Sequence, residues 1–174
     1  ASDVYKRQAD AGAEFITANT FGANSLKYDN VDELVKAGVA LAKKAGKYVA
    51  LDIGPTGKLL KPMGDLEFER AVELFAEVVR AGKDGSDVAI IETMSDMYEL
   101  KAAVIAVKEN SDLPIITSMI FDESGRLLTG GDVKSAVAML EGLRVDAIGF
   151  NCGLGPKQMI PLVKELRECT SLPI

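Results

Sequence analysis

The chain has 174 residues, 48% of them hydrophobic and 26% charged, the composition of one globular domain rather than of a disordered or fibrous segment. Twenty basic against 26 acidic residues give a net charge of −6, and no Lys/Arg-rich run offers a track for a phosphate backbone, so no nucleic-acid partner is expected. The absence of histidine excludes Ser-His and Cys-His catalysis within these residues and any histidine metal ligand.

No apolar run approaches the roughly 20 residues of a membrane span, and no signal-peptide core opens the sequence. The expected location is cytoplasmic, with no membrane partner. Two cysteines, Cys152 and Cys169, make no disulfide framework. Residues 1–8 lack an initiator Met and do not match the pattern that follows. They are set aside as a non-native or boundary segment, and residues 9–174 are read as one domain.

From Ala9 onward one unit recurs about every 30 to 40 residues: a small-residue turn, a short apolar strand, a polar loop and an amphipathic helix. The first strand is predicted over 15–20 and its helix over 31–45, with Leu34, Val35, Val39 and Leu41 toward one side. A second strand over 48–53 runs into Gly54-Pro55-Thr56-Gly57 and a long loop through Pro62 and Gly64. Asp65 is the expected N-cap of a helix over 66–81. The third strand spans 88–91 and ends in Glu92-Thr93, before a helix over 97–109. The fourth spans 114–121 and leads into a tight turn at Asp122-Glu123-Ser124-Gly125-Arg126. Asp132 caps a helix over 133–143, a fifth strand spans 145–150, and a last helix spans 157–168. Leu172-Pro173-Ile174 reads as the start of another strand.

Five strand-helix units suit either a complete open doubly wound sheet or an incomplete (β/α)₈ barrel, which needs about 250 residues. The polar residues favour the barrel. Just past every strand's carboxyl end stand polar or reactive groups: Asn19-Thr20, Asp52, Glu92-Thr93, Thr117-Ser118 and Asn151-Cys152. A barrel mouth draws on every strand, whereas an open sheet uses loops beside its switch point.

Cys152 lies between an apolar strand and a glycine-rich turn, Gly153-Leu154-Gly155-Pro156, that starts a helix. It reads either as a small packed side chain or as a ligand or nucleophile at the mouth. A single thiolate cannot hold zinc, which takes three or four protein ligands. Cys169, at the far end of the last helix, reads as structural or incidental. Glu92 closes a run of four apolar residues, so its charge needs donors or a cation, either a protein partner or a substrate ammonium. Asp52 faces the same choice. The two glycine loops could each cradle a phosphate through backbone N–H groups, but neither fits a P-loop or dinucleotide pattern.

Thr17-Ala18-Asn19-Thr20-Phe21-Gly22-Ala23, Leu51-Asp52-Ile53-Gly54-Pro55-Thr56-Gly57, Ile91-Glu92-Thr93, Leu128-Thr129-Gly130 and Gly149-Phe150-Asn151-Cys152-Gly153-Leu154-Gly155-Pro156 together resemble the homocysteine-binding barrel of the homocysteine S-methyltransferase family. The resemblance spans residues 9–174. The Gly-Pro-Thr-Gly loop is most similar to the cobalamin-dependent, methionine-forming branch. It implies an α/β (β/α)₈ TIM barrel, here incomplete, with its first and last strands missing. It also implies a zinc-dependent methyltransferase that activates the homocysteine thiolate, the chain being an inactive fragment on its own.

By the same resemblance Cys152 is one of three cysteine ligands to zinc. The other two form a Gly-Gly-Cys-Cys motif on a later strand, which this sequence does not contain. Glu92 matches the position that binds the substrate amino group, and Asn19, Thr20 and Asn151 match positions lining the site; no catalytic side chain is singled out. Cobalamin and methyltetrahydrofolate would sit on downstream modules of the same polypeptide or complex. Two other readings stand beside it: a self-contained α/β domain binding a small anion without catalysis, and a phosphate-binding barrel of the aldolase kind. The lack of a lysine at any strand end counts against the latter.

Overall fold

The computed structural model describes residues 2–174. In chain order the elements are α1 (Ser2–Asp10), β1 (Phe15–Thr17), α2 (Val31–Lys43), β2 (Tyr48–Ile53), α3 (Phe68–Gly82), β3 (Val88–Met94), α4 (Met97–Asn110), β4 (Ile115–Met119), α5 (Val133–Gly142), β5 (Ala147–Phe150) and α6 (Pro156–Cys169). The five strands form one parallel sheet in the order β1-β2-β3-β4-β5.

That order never reverses, so right-handed crossovers carry every helix to the same face of the sheet. The doubly wound alternative, which needs a switch point, is excluded. The helices form one layer, each packed on the next from α1 to α6. Ile16, Leu51, Ile53, Ile91, Ile115, Met119 and Ile148 are buried from the strands, and Leu74, Leu100, Leu140 and Leu166 from the helices. Each such side chain contributes about 1.5–3 kcal/mol of hydrophobic stabilisation. Alternation turns the other set of strand residues toward the barrel interior. There Phe15 and Tyr48, paired across β1 and β2, stack at 5.2 Å between ring centroids and remain solvent-exposed.

Two aspartates repeat one device at the amino-terminal edge. Val49 N–H donates to Asp87 Oδ2 and Ile115 N–H to Asp146 Oδ2, both at 2.7 Å, so the residue preceding β3 or β5 ties down the first amides of the strand before it. No helix among the described residues is long and apolar enough to cross a membrane.

Several boundaries differ from the sequence-based expectation. Residues 2–10, set aside in large part, form α1, whose Tyr5 is buried and accepts the Asn19 N–H at 3.0 Å. β1 ends at Thr17 because the chain turns sharply after Ala18, with Thr20 N–H bonding to the Ala18 carbonyl. Asp65 does not cap α3. Leu66 is instead drawn into the core and exchanges backbone hydrogen bonds with Leu59 and Lys61, so the helix starts at Phe68 behind Glu67. β3 continues through Glu92 and Thr93 to Met94 with a register shift after Ile91. Asp132 caps α5 by accepting from Ser135 N–H, as expected, and the turn at Asp122 is held by its Oδ1 accepting from Ser124 and Arg126. At the other edge, Ile148 N–H donates to the Pro173 carbonyl at 3.0 Å, the start of strand pairing beyond β5.

Candidate functional site

The carboxyl ends of the strands converge on one mouth. On β2, Asp52 shares the interior-facing side of the sheet with Glu92 of β3, since Asp52 pairs with Ile90 and Glu92 lies two residues further on. Asp52 is 6% exposed, and its Oδ1 has no hydrogen-bond partner among the described residues. Burial, reinforced by the neighbouring Glu92 charge, raises its pKa from 3.8 to about 7.

The main chain around Asp52 is firmly held. Thr20 Oγ1 donates to the Asp52 carbonyl at 2.7 Å and accepts the Asp52 N–H at 3.2 Å. Thr20 is therefore buried and committed to β2, while Asn19 beside it is exposed. A cleft of about 360 Å³ lined by Tyr5, Thr17, Asn19 and Asp52 opens here. A larger one of about 940 Å³ lies at the opposite, amino-terminal end between Tyr48 and Asp84, away from all of these groups. The expected site residues lie at the mouth rather than in that depression.

Across the mouth, Asn151 organises three strands. Its Nδ2 donates to Thr93 Oγ1 at 3.0 Å and to Cys152 Sγ at 3.2 Å, and its Oδ1 accepts from Ser118 Oγ at 2.7 Å. Two residues in this network hold left-handed backbones, Thr93 at φ 65° and Cys152 at φ 57°. For β-branched Thr93 this is a strained conformation, costing on the order of 1–3 kcal/mol. Gly153 follows at φ 67°, where a Cβ would stand 2.8 Å from the Phe121 carbonyl oxygen, so only glycine lets the turn pack there. The outcome is an exposed Cys152 thiol, held by a side-chain amide at the edge of the mouth.

The two glycine loops are fixed by their own amides. Gly54 N–H bonds to the Phe21 carbonyl, and Thr56 N–H and Oγ1 both donate to Glu99 Oε1, at 2.8 and 2.6 Å. Glu99 is buried, which raises its pKa, while the Thr56 hydrogen bonds pull the other way. Leu154 N–H bonds to the Cys152 carbonyl and Gly155 N–H to Gln158 Oε1. These amides are already used, so the loops are poorly suited to cradling an anion.

Among the described residues no three His, Cys, Asp or Glu side chains come close enough to hold a metal. Cys169 ends α6 whereas Cys152 precedes it, about 20 Å apart along a helix of that length. As a donor set, this chain offers zinc one accessible soft thiolate, which fits a single ligand position of a shared site.

The sequence model described as homocysteine S-methyltransferase matches residues 2–174. The chain belongs to the homocysteine S-methyltransferase family. Methionine synthases from Mycobacterium leprae and Mycobacterium tuberculosis are each 27% identical to it, over 98% of this chain and 16% of their own length. Among solved structures, the homocysteine methyltransferase MmuM from Escherichia coli superposes with a TM-score of 0.86 in its metallated form and 0.79 in its apo form. It is 22% identical over 99% of this chain and covers 69% and 68% of those chains respectively, a likeness that shows the barrel fold. The chain thus spans about a sixth of the curated relatives.

Of the expected site residues, Asn151 and Cys152 meet in one network, Glu92 stands beside Asp52, and Asn19 and Thr20 lie beyond β1 on the Asp52 side. Thr93, Ser118 and Glu99 carry no expected role, though all three hold the mouth in shape. Glu92-Thr93 marks a strand end in sequence, but a left-handed Thr inside a strand has no sequence signature.

Proposed function

We propose that this chain forms part of the homocysteine-binding barrel of a zinc-dependent, methionine-forming methyltransferase. The observation that carries it is the exposed Cys152 thiol, turned out by a left-handed backbone and held by Asn151, on the same rim as the Glu92 carboxylate. Cys152 supplies one of three cysteine ligands, with the others from the Gly-Gly-Cys-Cys motif of a later strand. When bound, zinc stabilises a thiolate, so that the homocysteine sulfur is held as the form that attacks a methyl group.

The chain's own residues bind and orient. Glu92 accepts the substrate ammonium; Asn19 and Asn151 line the ligand; Thr20 holds the β2 terminus in place. Cobalamin and methyltetrahydrofolate are carried by modules in the remaining length of the polypeptide or complex, a division of labour in keeping with the 16% of the curated relatives that this chain spans. Two free thiols suit a cytoplasmic protein. The anion-binding alternative is less well supported, because the glycine-loop amides it needs are engaged internally.

The test is methyl transfer to homocysteine by the full-length protein. Cys152→Ala is expected to abolish turnover with the circular-dichroism spectrum unchanged; retained turnover would overturn the proposal.

A further inference from the structure

A cleft of about 590 Å³ opens among the loop after β2, the start of α4 and the loop after β4, and none of the expected site residues lines it. Its volume is that of an ordinary small-molecule site, about 300–1,000 Å³. The walls are preformed. On one side the loop over 59–66 closes on itself, with Lys61 N–H bonding to the Leu66 carbonyl and Gly64 N–H to the Leu60 carbonyl, both at 2.9 Å. On another, Leu127 N–H bonds to the Gly131 carbonyl at 2.8 Å. Met63, Met97 and Met139 line the space with Pro62 and Tyr98, and Met63 and Tyr98 are exposed. Thioethers and a ring face suit a flat aromatic group.

The charges around the cleft differ in how far they are met. Lys61 pairs with Glu67, and buried Asp96 accepts the Glu99 N–H at 2.6 Å as the cap of α4. Lys101, one turn along α4 from Met97, forms no ion pair among the described residues, and its Nζ lies 5.9 Å from the Phe68 ring centroid. Lys101 also lines a second cleft of about 350 Å³ that shares Leu60, Lys61, Pro62 and Tyr98 with the first. An unmet ammonium thus stands where two apolar clefts join.

We propose that this cleft binds a small aromatic carboxylate, with its ring among the methionines and Tyr98 and its acid group on Lys101. The apolar lining selects the body of the ligand, and the unpaired lysine selects its charge. Asp96 lines only the larger cleft, so like-charge repulsion holds the acid group at the Lys101 side. The site uses none of the residues of the methyltransferase reading and does not depend on it.

The experiment is a ligand-observed NMR titration of the full-length protein with 3-phenylpropanoate and with its uncharged amide. Wild type is expected to bind the acid about fivefold or more tighter than the amide. Lys101→Met keeps an apolar stem and removes the charge, so it should lose about fivefold for the acid and stay within about twofold for the amide. Tyr98→Ala alters an exposed position that the fold does not need, and it should weaken both ligands by about threefold or more. Equal losses for the two ligands in Lys101→Met, or unchanged binding in either variant, overturn the inference. So does the absence of saturable binding to wild type, the result expected if another part of the polypeptide covers the cleft.

Discussion

The Asn151 side chain bonds Thr93 at 3.0 Å, joining the end of β5 to β3 across β4, and the two residues that accept from its amide, Thr93 and Cys152, both hold left-handed backbones. One amide thus stabilises two strained corners and aims a thiol. Asn151→Ala leaves the Thr93 and Ser118 hydroxyls without their partner, at a cost of about 1–3 kcal/mol by urea denaturation. In the full-length protein it should also weaken zinc binding by about 10–100-fold, as loss of a group orienting a metal ligand does. An unchanged zinc affinity would mean the network serves the fold alone.

Asp52 makes stability depend on pH. Its folded pKa of about 7 lies above the ordinary 3.8, so the folded chain binds this proton more tightly than the unfolded chain does. The stabilisation is fully present below about pH 4 and is lost as pH rises through about 7. Asp52→Asn removes this dependence. Its stability advantage over wild type, measured by denaturation at fixed pH values, should therefore grow from about pH 4 to about pH 8; parallel curves would refute the assignment.

The Gly54-Pro55-Thr56-Gly57 loop hangs on one carboxyl. Glu99→Ala strands the buried Thr56 N–H and hydroxyl, at an expected cost of about 1–3 kcal/mol, and should expose the following loop to proteolytic nicking. Glu99→Gln keeps an acceptor oxygen at the same position and should lose much less. Limited proteolysis with mass spectrometry separates the two.

Tyr5 places α1 within the domain. Tyr5→Phe deletes the acceptor for the Asn19 N–H and should cost about 1 kcal/mol in chemical denaturation. A neutral result would show that α1 only rests on the sheet edge.

The βα rhythm was legible because apolar runs and caps are local: residues 48–53 read as a strand and form one, and Asp132 reads as a cap and is one. The mouth was legible too, since polar residues following each apolar run mark strand termini. What sequence could not show depends on contacts far apart in the chain. Leu66 leaves the expected α3 because it pairs with backbone near Leu60, and the Asp65 cap fails with it. Residues 1–8 carry no local pattern that reveals the Tyr5 hydroxyl meeting Asn19. The left-handed Thr93 depends on a partner in β5, which no residue near it announces.

The most direct test of the zinc-barrel account is the metal content of the full-length protein in wild-type, Cys152→Ser and Cys169→Ser forms after exhaustive dialysis. The account predicts bound zinc in wild type and Cys169→Ser and its loss in Cys152→Ser, with all three folded. Zinc retained by Cys152→Ser, or lost equally from Cys169→Ser, would contradict it.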